Sequence, residues 1–242
     1  QGWYLIGRSR EMTADFRGAT EAYRKARGME GDHAPTLLAW GRLRVERALA
    51  KQTWGYSDPE RNQVAAREMK DAVDMIDRGS SGREGGIDLD LAKAYAGLIR
   101  NPGIVYSAGE MLAKWKGDPF VEEFLLVEAI SKQGAARVAA ANECLKWMPS
   151  FYKAYVWRAG GQHERKDAIG DYSKALELQP GLAEAYYHRG TARYWDQDLE
   201  GASGDLSRAL LLDPDLVEAY VSRGLVHLAR GEYRQAIEDF SG

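Results

Sequence analysis

The amino-acid sequence predicts an all-α fold in which antiparallel helix pairs stack on one another as a solenoid. The first observation is an internal repeat: the segment that starts at Ala183 resembles the segment that starts at Val217, with an offset of 34 residues. The second is that glycine, alanine and proline return at matching places in both copies. A fixed period of about this size is typical of arrays of helical repeats.

The positions of the small residues describe each repeat as a helical hairpin. Gly190 and Gly224 remove a side chain where a second helix must approach, and Ala202 and Ala236 supply the small surface on that second helix. Pro214 ends the helix before it because proline lacks the amide hydrogen. A single hairpin cannot bury its apolar faces alone, so the pairs are expected to stack.

These residues resemble the signature of the tetratricopeptide repeat family. Its places are occupied by Tyr186 and Tyr220, Gly190 and Gly224, Ala202 and Ala236, Leu206 and Phe240, Ala209 and Pro214. Arg189 and Arg223 depart from the family by replacing the usual leucine before the glycine. The resemblance implies a right-handed superhelical solenoid whose first helices line a concave groove.

The same template extends to the start of the chain and divides it into segments. Gly7 and Gly41 open two N-terminal units, and the second carries an insertion centred on residues 53–60 that delays its small position to Ala65. The predicted organisation is two repeat units in 1–79, a glycine- and serine-rich linker in 80–87, two degenerate units in 88–149, and regular units in 150–242, the last one cut short.

The ends of the chain suggest that it is part of a longer protein. The first unit opens almost at residue 1, which is glutamine and not methionine, and Gly242 falls inside a second helix. An excised or processed segment is therefore expected.

Composition and charge exclude several classes of function. The chain has 242 residues, a net charge of -3, 45% hydrophobic and 29% charged residues, which is typical of a soluble globular protein. The slightly acidic balance argues against nucleic acid as the main partner. No run of about 18 apolar residues predicts a membrane span. A cytoplasmic location is favoured, although no motif requires it.

The sequence offers no constellation for catalysis or for binding a cofactor or a metal. The four histidines lack a partner four residues away that would make a helical metal site. The single cysteine, Cys144, excludes an internal disulfide and falls at a small position expected in the core. No nucleotide loop, serine elbow or zinc-protease motif is present. We therefore expect no catalytic residue, no cofactor, no metal and no enzymatic activity.

The resemblance implies that a partner binds at concave positions of the first helices. Arginines in the N-terminal groove suit a carboxylate or an acidic segment, and aromatic and aliphatic residues in the C-terminal groove suit an apolar helix or peptide. Two alternatives stay open: the aromatic residues pack between repeats, and the arginines are solvated charges. The candidates are Tyr4, Arg8, Met12, Arg42, Tyr187, Thr191, Tyr194, Trp195, Val221 and Leu225.

The predicted function is a non-enzymatic scaffold that holds a peptide or helix of a protein partner in the groove. An alternative is the regulatory or substrate-recruiting region of a larger enzyme, such as a bacterial serine/threonine kinase or a glycosyltransferase. A third hypothesis is self-association through the exposed ends of the repeat array.

Overall fold

The computed structural model describes residues 2–13, 15–31, 33–54, 59–81, 87–100, 114, 123–130 and 132–241. Within these ranges the regular secondary structure is entirely α-helical, which confirms the predicted all-α class. No helix among them combines the length and the apolar character needed to cross a membrane. The chain forms two compact units, residues 1–133 and residues 134–242.

The N-terminal unit consists of helices that each pack against the next. Helix α3 also contacts α1 and α5, so first helices of successive pairs touch each other. The bounds are α1 Gly2–Met12, α2 Phe16–Glu30, α3 Ala34–Trp54, α4 Pro59–Ser80, α5 Ile87–Arg100 and α6 Glu123–Ile130.

The core of this unit lies where α1, α2, α3 and α4 meet. Tyr23, Leu37 and Leu43 are fully or almost fully buried, and Met75 of α4 completes the cluster. Tyr4 packs against this cluster from α1. Because the apolar side chains come from helices far apart in sequence, this cluster joins the first two helix pairs.

The second helix pair is longer than the repeat requires. Helix α3 has 21 residues and α4 has 22, so the inserted sequence lengthens both helices. A Cβ atom on Gly41 would lie 3.0 Å from the carbonyl oxygen of Ala72 and 2.7 Å from Ile76. The residue that faces Gly41 is therefore Ala72, seven positions after the expected Ala65. Residues 55–58 of the insertion lie outside the described residues.

The predicted linker joins helices of the same compact unit. Helix α5, which follows it, packs against α3 and α4. The division between units falls between residues 133 and 134. Residues 82–86 of the linker, and the predicted turn at residues 101–103, lie outside the described residues.

The C-terminal unit is a stack of antiparallel helix pairs. Each helix packs against the next, and the first helices α10 and α12 also contact each other. The bounds are α7 Gly134–Trp147, α8 Tyr152–Ala159, α9 Arg165–Leu178, α10 Ala183–Trp195, α11 Leu199–Leu212, α12 Val217–Ala229 and α13 Tyr233–Ser241. Cys144 is fully buried in α7, as expected of a core residue.

The glycines of the repeat allow the two helices of each pair to approach closely. A Cβ atom on Gly190 would lie 2.9 Å from Leu206 and 3.2 Å from the carbonyl oxygen of Ala202. On Gly224 it would lie 2.5 Å from the ring of Phe240. The predicted pairing of glycine with the small position of the second helix is confirmed.

The turn between the two helices also follows the repeat. Asp198 caps α11 by accepting a hydrogen bond of 2.9 Å from the amide of Gly201. The residue before this cap, Gln197, has a φ of 68°, and Gly231 has a φ of 76° at the equivalent place in the next pair. The left-handed conformation is thus a property of the turn, and glycine adopts it without strain.

Replacing Gly190 with alanine should destabilise the C-terminal unit by about 1–3 kcal/mol, because the new methyl group overlaps Leu206. Urea unfolding followed by circular dichroism measures the change. Gly204→Ala is the matched control, since a Cβ atom there meets nothing within 4 Å. It should raise stability by about 0.5–1 kcal/mol through helix propensity. A Gly190→Ala protein as stable as wild type would contradict the close approach.

Candidate functional site

The first helices of the C-terminal unit have two faces that are set by the direction of the glycine. Gly190 faces α11, and each residue turns the helix by about 100° about its axis. Measured around α10 from Gly190, Thr191 and Trp195 therefore lie about 100° and 140° to one side. Arg189 and Arg193 lie about 100° and 60° to the other side. We call these sides the groove face and the arginine face. The groove face comprises Tyr187, Thr191, Tyr194, Trp195, Val221, Leu225 and Leu228, and the arginine face comprises Tyr186, Arg189, Arg193, Tyr220, Arg223 and His227.

The groove face carries exposed apolar side chains on two neighbouring helices. Trp195 is 48% exposed on α10, and Val221 and Leu228 are 40% and 42% exposed on α12. Tyr194, partly buried, contacts the Trp195 ring edge to face at 5.2 Å. Leu225 is also partly buried. An apolar surface therefore continues from one first helix to the next.

Two predicted groove residues make contacts within the C-terminal unit itself. Tyr187 is only 7% exposed and belongs to the core cluster with Leu206 and Leu210. Thr191 is partly buried and donates its hydroxyl hydrogen bond to the carbonyl of Tyr187 at 2.9 Å. Of the two roles left open for Tyr187, the structure shows packing.

The N-terminal candidates divide into buried and exposed residues. Arg8 is 8% exposed and Arg42 is 0% exposed, so these two arginines are not the solvated charges of the second interpretation. Tyr4 is partly buried, with its ring 6.4 Å from that of Tyr23. Met12 is 61% exposed. Of these four, only Met12 presents most of its side chain at the surface.

The buried arginines of α1 and α3 face a carboxylate of the chain itself. Glu11, 5% exposed, accepts hydrogen bonds from Arg42 Nη2 and from the Tyr23 hydroxyl. Arg8 lies 3.8 Å from the same carboxylate, and Glu46 lies 4.0 Å from Arg42. Burial, and then the charge of Glu11, raise the pKa of Tyr23. Arg42 is thus already paired inside the unit and is not available to the carboxylate of a partner.

The arginine face contains a repeated contact that the sequence analysis did not find. Arg189 donates from Nε and Nη2 to the two oxygens of Asp205 at 2.8 and 2.7 Å, within its own helix pair. Its Nη1 donates to the hydroxyl of Ser173, on the second helix of the preceding pair, at 3.0 Å. One guanidinium therefore joins three helices.

The same contact recurs in the neighbouring pairs. Arg223 donates to both oxygens of Asp239 at 2.9 and 2.6 Å and to Ser207 at 3.3 Å. Arg158 donates to Asp171 and, at 2.7 Å, to the side-chain oxygen of Asn142. We call Arg158, Arg189 and Arg223, with these acceptors, the arginine ladder. In each case the polar group on the preceding pair stands 16 residues before the arginine.

Aromatic rings support the ladder from the same helices. The guanidinium carbons of Arg158, Arg189 and Arg223 lie 5.2, 5.5 and 5.7 Å from the ring of the tyrosine three residues earlier. The hydrogen bonds to the aspartates raise the pKa of each arginine. The arginine that replaces the usual leucine thus has a structural role between and within pairs.

The carboxylates of the ladder are buried against their arginines. Asp171, Asp205 and Asp239 are 5–7% exposed, and each is engaged by a bidentate arginine. Among the described residues, no group of three or more histidines, cysteines or acids is placed to hold a metal ion.

The helix pairs and their repeated contacts build an all-α helical repeat fold, and the residues that recur resemble the tetratricopeptide signature. No protein-family model and no curated protein matches the chain. Similar solved structures include the double mutant "MamA RS-1 ArsTM", with 22% identity and a TM-score of 0.48 over 55% of this chain and 78% of that one. The crystal structure of yeast Tom70 has 14% sequence identity and a TM-score of 0.49, and the match covers 99% of this chain and 60% of that one. A crystal structure of MamA has 16% sequence identity and a TM-score of 0.33, and the match covers 98% of this chain and 91% of that one.

This chain therefore aligns with 60% of the length of the Tom70 structure. The fold is defined by the helix pairs and the repeated contacts of the chain itself.

Asp205→Asn tests the ladder, because the amide keeps the shape of the carboxylate but removes its charge and one acceptor oxygen. Arg189 and Arg193 both donate to Asp205, so a loss of about 2–4 kcal/mol in the free energy of unfolding is expected. Asp196→Asn is the matched control at an exposed position. Chemical denaturation measures both. Equal stability of the two variants would show that the ladder does not stabilise the unit.

His188 should make the stability of the C-terminal unit depend on pH. It lies between the rings of Tyr172 and Tyr187, and burial lowers its pKa from 6.5 to about 3. Below pH 6.5 the unfolded chain binds a proton that the folded chain does not. The stabilisation is therefore complete above pH 6.5 and is lost as the pH falls toward 3.

Between about pH 7 and pH 5, wild type should lose up to about 2 kcal/mol more stability than His188→Gln. Urea unfolding at both pH values gives the comparison. The exposed His163 provides the matched histidine-to-glutamine control in the same unit. Identical pH dependence of wild type and His188→Gln would contradict the low pKa.

Proposed function

We propose that the chain is a protein-interaction scaffold whose groove face in the C-terminal unit binds an apolar segment of a protein partner. The observation that carries the proposal is the exposure of Trp195, Val221 and Leu228 on two first helices that contact each other. Clustered exposed apolar residues on a soluble protein are typical of interaction sites.

The position of these residues supports binding over packing. The contacts that hold the helix pairs together use Gly190, the core cluster with Tyr187, and the arginine ladder, and Trp195, Val221 and Leu228 belong to none of these. Packing within the described unit thus does not require these exposed side chains.

The chemistry of the groove face indicates the kind of partner. Trp195 offers a large rigid ring with an N–H donor, and tryptophan is enriched at the energetic centres of interfaces. Val221 and Leu228 are two helical turns apart on the same face, as apolar contacts in a helix groove are. We infer an amphipathic helix, or an extended segment with apolar side chains, as the bound element.

The N-terminal arginines are not part of this proposal. Arg8 and Arg42 are buried against Glu11, so a partner's carboxylate would have to displace an internal pair. Met12 is 61% exposed at the end of α1 and stays a candidate contact of the N-terminal unit.

A displayed library of random 16-residue peptides, selected on the full chain, supplies the probe for this surface. Affinities of the selected peptides are then measured by fluorescence anisotropy. The double variant Trp195→Ala with Leu228→Ala should weaken binding by at least about tenfold, since each truncation removes about 1–3 kcal/mol of apolar contact.

Leu211→Ala is the matched control because Leu211 is 69% exposed on the second helix α11, outside the groove face. It should leave the affinity of the peptides unchanged. Circular dichroism verifies that all variants keep the wild-type helix content. Peptides that bind the double variant as well as they bind wild type would refute the groove face as the binding surface.

A further inference from the structure

The turn between α10 and α11 contains a residue whose side chain disfavours the conformation it adopts. Gln197 has a φ of 68°, and among the described residues it is the only one other than glycine with a positive φ. A residue with a Cβ atom is strained in this left-handed region, because the Cβ atom comes too close to the following carbonyl oxygen. Glycine has no Cβ atom and avoids this strain.

The equivalent turn of the next helix pair shows that the glutamine side chain is not needed to form the turn. The backbone amide of Gln197 donates to the carbonyl of Tyr194 at 3.1 Å, and that of Gly231 donates to the carbonyl of Leu228 at 3.0 Å. Gly231 stands 34 residues after Gln197 and has a φ of 76°. The two turns therefore share a backbone conformation, and one of them forms without a side chain.

The side chain of Gln197 makes no hydrogen bond that would offset this strain within the described part of the chain. It is exposed. By contrast, the side-chain amide of Gln162 donates to Asp171 at 3.2 Å. Strained residues of this kind cluster at sites that bind ligands or switch conformation. The exposed amide of Gln197 is therefore a candidate for a contact with another molecule.

Gln197 lies at the carboxyl end of the groove face on α10. Its backbone amide is bonded to Tyr194, and Trp195, which is 48% exposed, stands two residues before it. The rings of Tyr194 and Trp195 contact each other, with their centres 5.2 Å apart. An exposed aromatic ring and an exposed side-chain amide thus occur together where this first helix ends.

We propose that Gln197 is a binding residue of the groove face, a step that rests on the proposed function, and that the bound segment is extended. A glutamine amide has an acceptor oxygen and an NH₂ donor, so it pairs with a backbone N–H and a backbone carbonyl together. In the interior of a helix these backbone groups are already paired, whereas an extended segment offers them to its partner. An apolar side chain of the same segment packs on Trp195.

Two variants of the full chain separate the backbone strain from the side-chain contact. Gln197→Gly removes both, so it should raise the urea midpoint of unfolding and weaken binding of the selected 16-residue peptides about tenfold, the loss of two neutral hydrogen bonds. Gln197→Ala keeps the Cβ atom, so it should weaken binding equally at a midpoint close to that of wild type. Gln235→Ala removes an exposed glutamine from the second helix α13 and should leave the affinity unchanged.

Peptides with a single N-methylated backbone amide test the extended segment. Each position of a selected peptide is methylated in turn, which removes one N–H donor, and fluorescence anisotropy measures the affinity. At one position the methyl group should weaken binding to wild type about fivefold, the loss of one hydrogen bond. The same peptide should bind Gln197→Ala as well as its unmethylated parent does, because the acceptor of that N–H is absent from this variant.

Three results distinguish the role of Gln197 from the proposed function of the groove face. If both variants of Gln197 bind the peptides as tightly as wild type while Trp195→Ala with Leu228→Ala weakens binding, the groove face stands and the role of Gln197 is refuted. If no methylated position depends on Gln197, or if the bound peptides show helical ¹³C chemical shifts, the extended form is refuted. If the double variant binds as well as wild type, the proposed function fails and the role of Gln197 fails with it.

Discussion

The C-terminal unit depends on one interaction, the bidentate pair between an arginine of a first helix and an aspartate of the following second helix. The guanidinium is planar and rigid, so two of its N–H groups fix Asp205 while a third reaches Ser173 in the preceding pair. A repeat array has contacts only between neighbours. A group that binds within its pair and to the pair before it therefore sets both the hairpin and the stacking register.

The N-terminal unit is also joined by a buried pair of an arginine and a carboxylate, but the two partners stand on different helices from those of the ladder. Its buried carboxylate, Glu11, stands on a first helix and receives Arg42 from the next first helix, with the hydroxyl of Tyr23 as a further donor. Burying a charge is costly unless it is paired and hydrogen-bonded, and Glu11 meets both conditions. The pair links α1 to α3 across the repeat boundary, whereas the ladder links first helices to second helices.

The sequence was informative where the constraint is a matter of size and local spacing. Gly190 and Ala202 could be paired because their smallness is visible in both copies. The role of Arg189 was missed although its spacing of 16 residues to Ser173 and to Asp205 repeats at Arg223. The pair of Glu11 and Arg42, 31 residues apart, has no second copy that could show it. Burial could not be foreseen either, since Tyr187 and Val221 share a position and differ in exposure.

Equivalent positions in a repeat protein share a backbone environment, so single side chains decide which polar contacts join a helix pair. An aspartate at the place of Asp205 occupies two arginines and supports packing. At the equivalent place of the N-terminal unit stands Met75, whose sulfur lies 3.4 Å from Arg44 Nη1. The glycine contacts that build the helix pairs are the same at both places. Counted from the equivalent contacts of Gly41 and Gly190, Trp40 stands in the place of Arg189 and Met75 in that of Asp205, so two exchanges of side chains remove a rung of the ladder and keep the close approach of the helix pair.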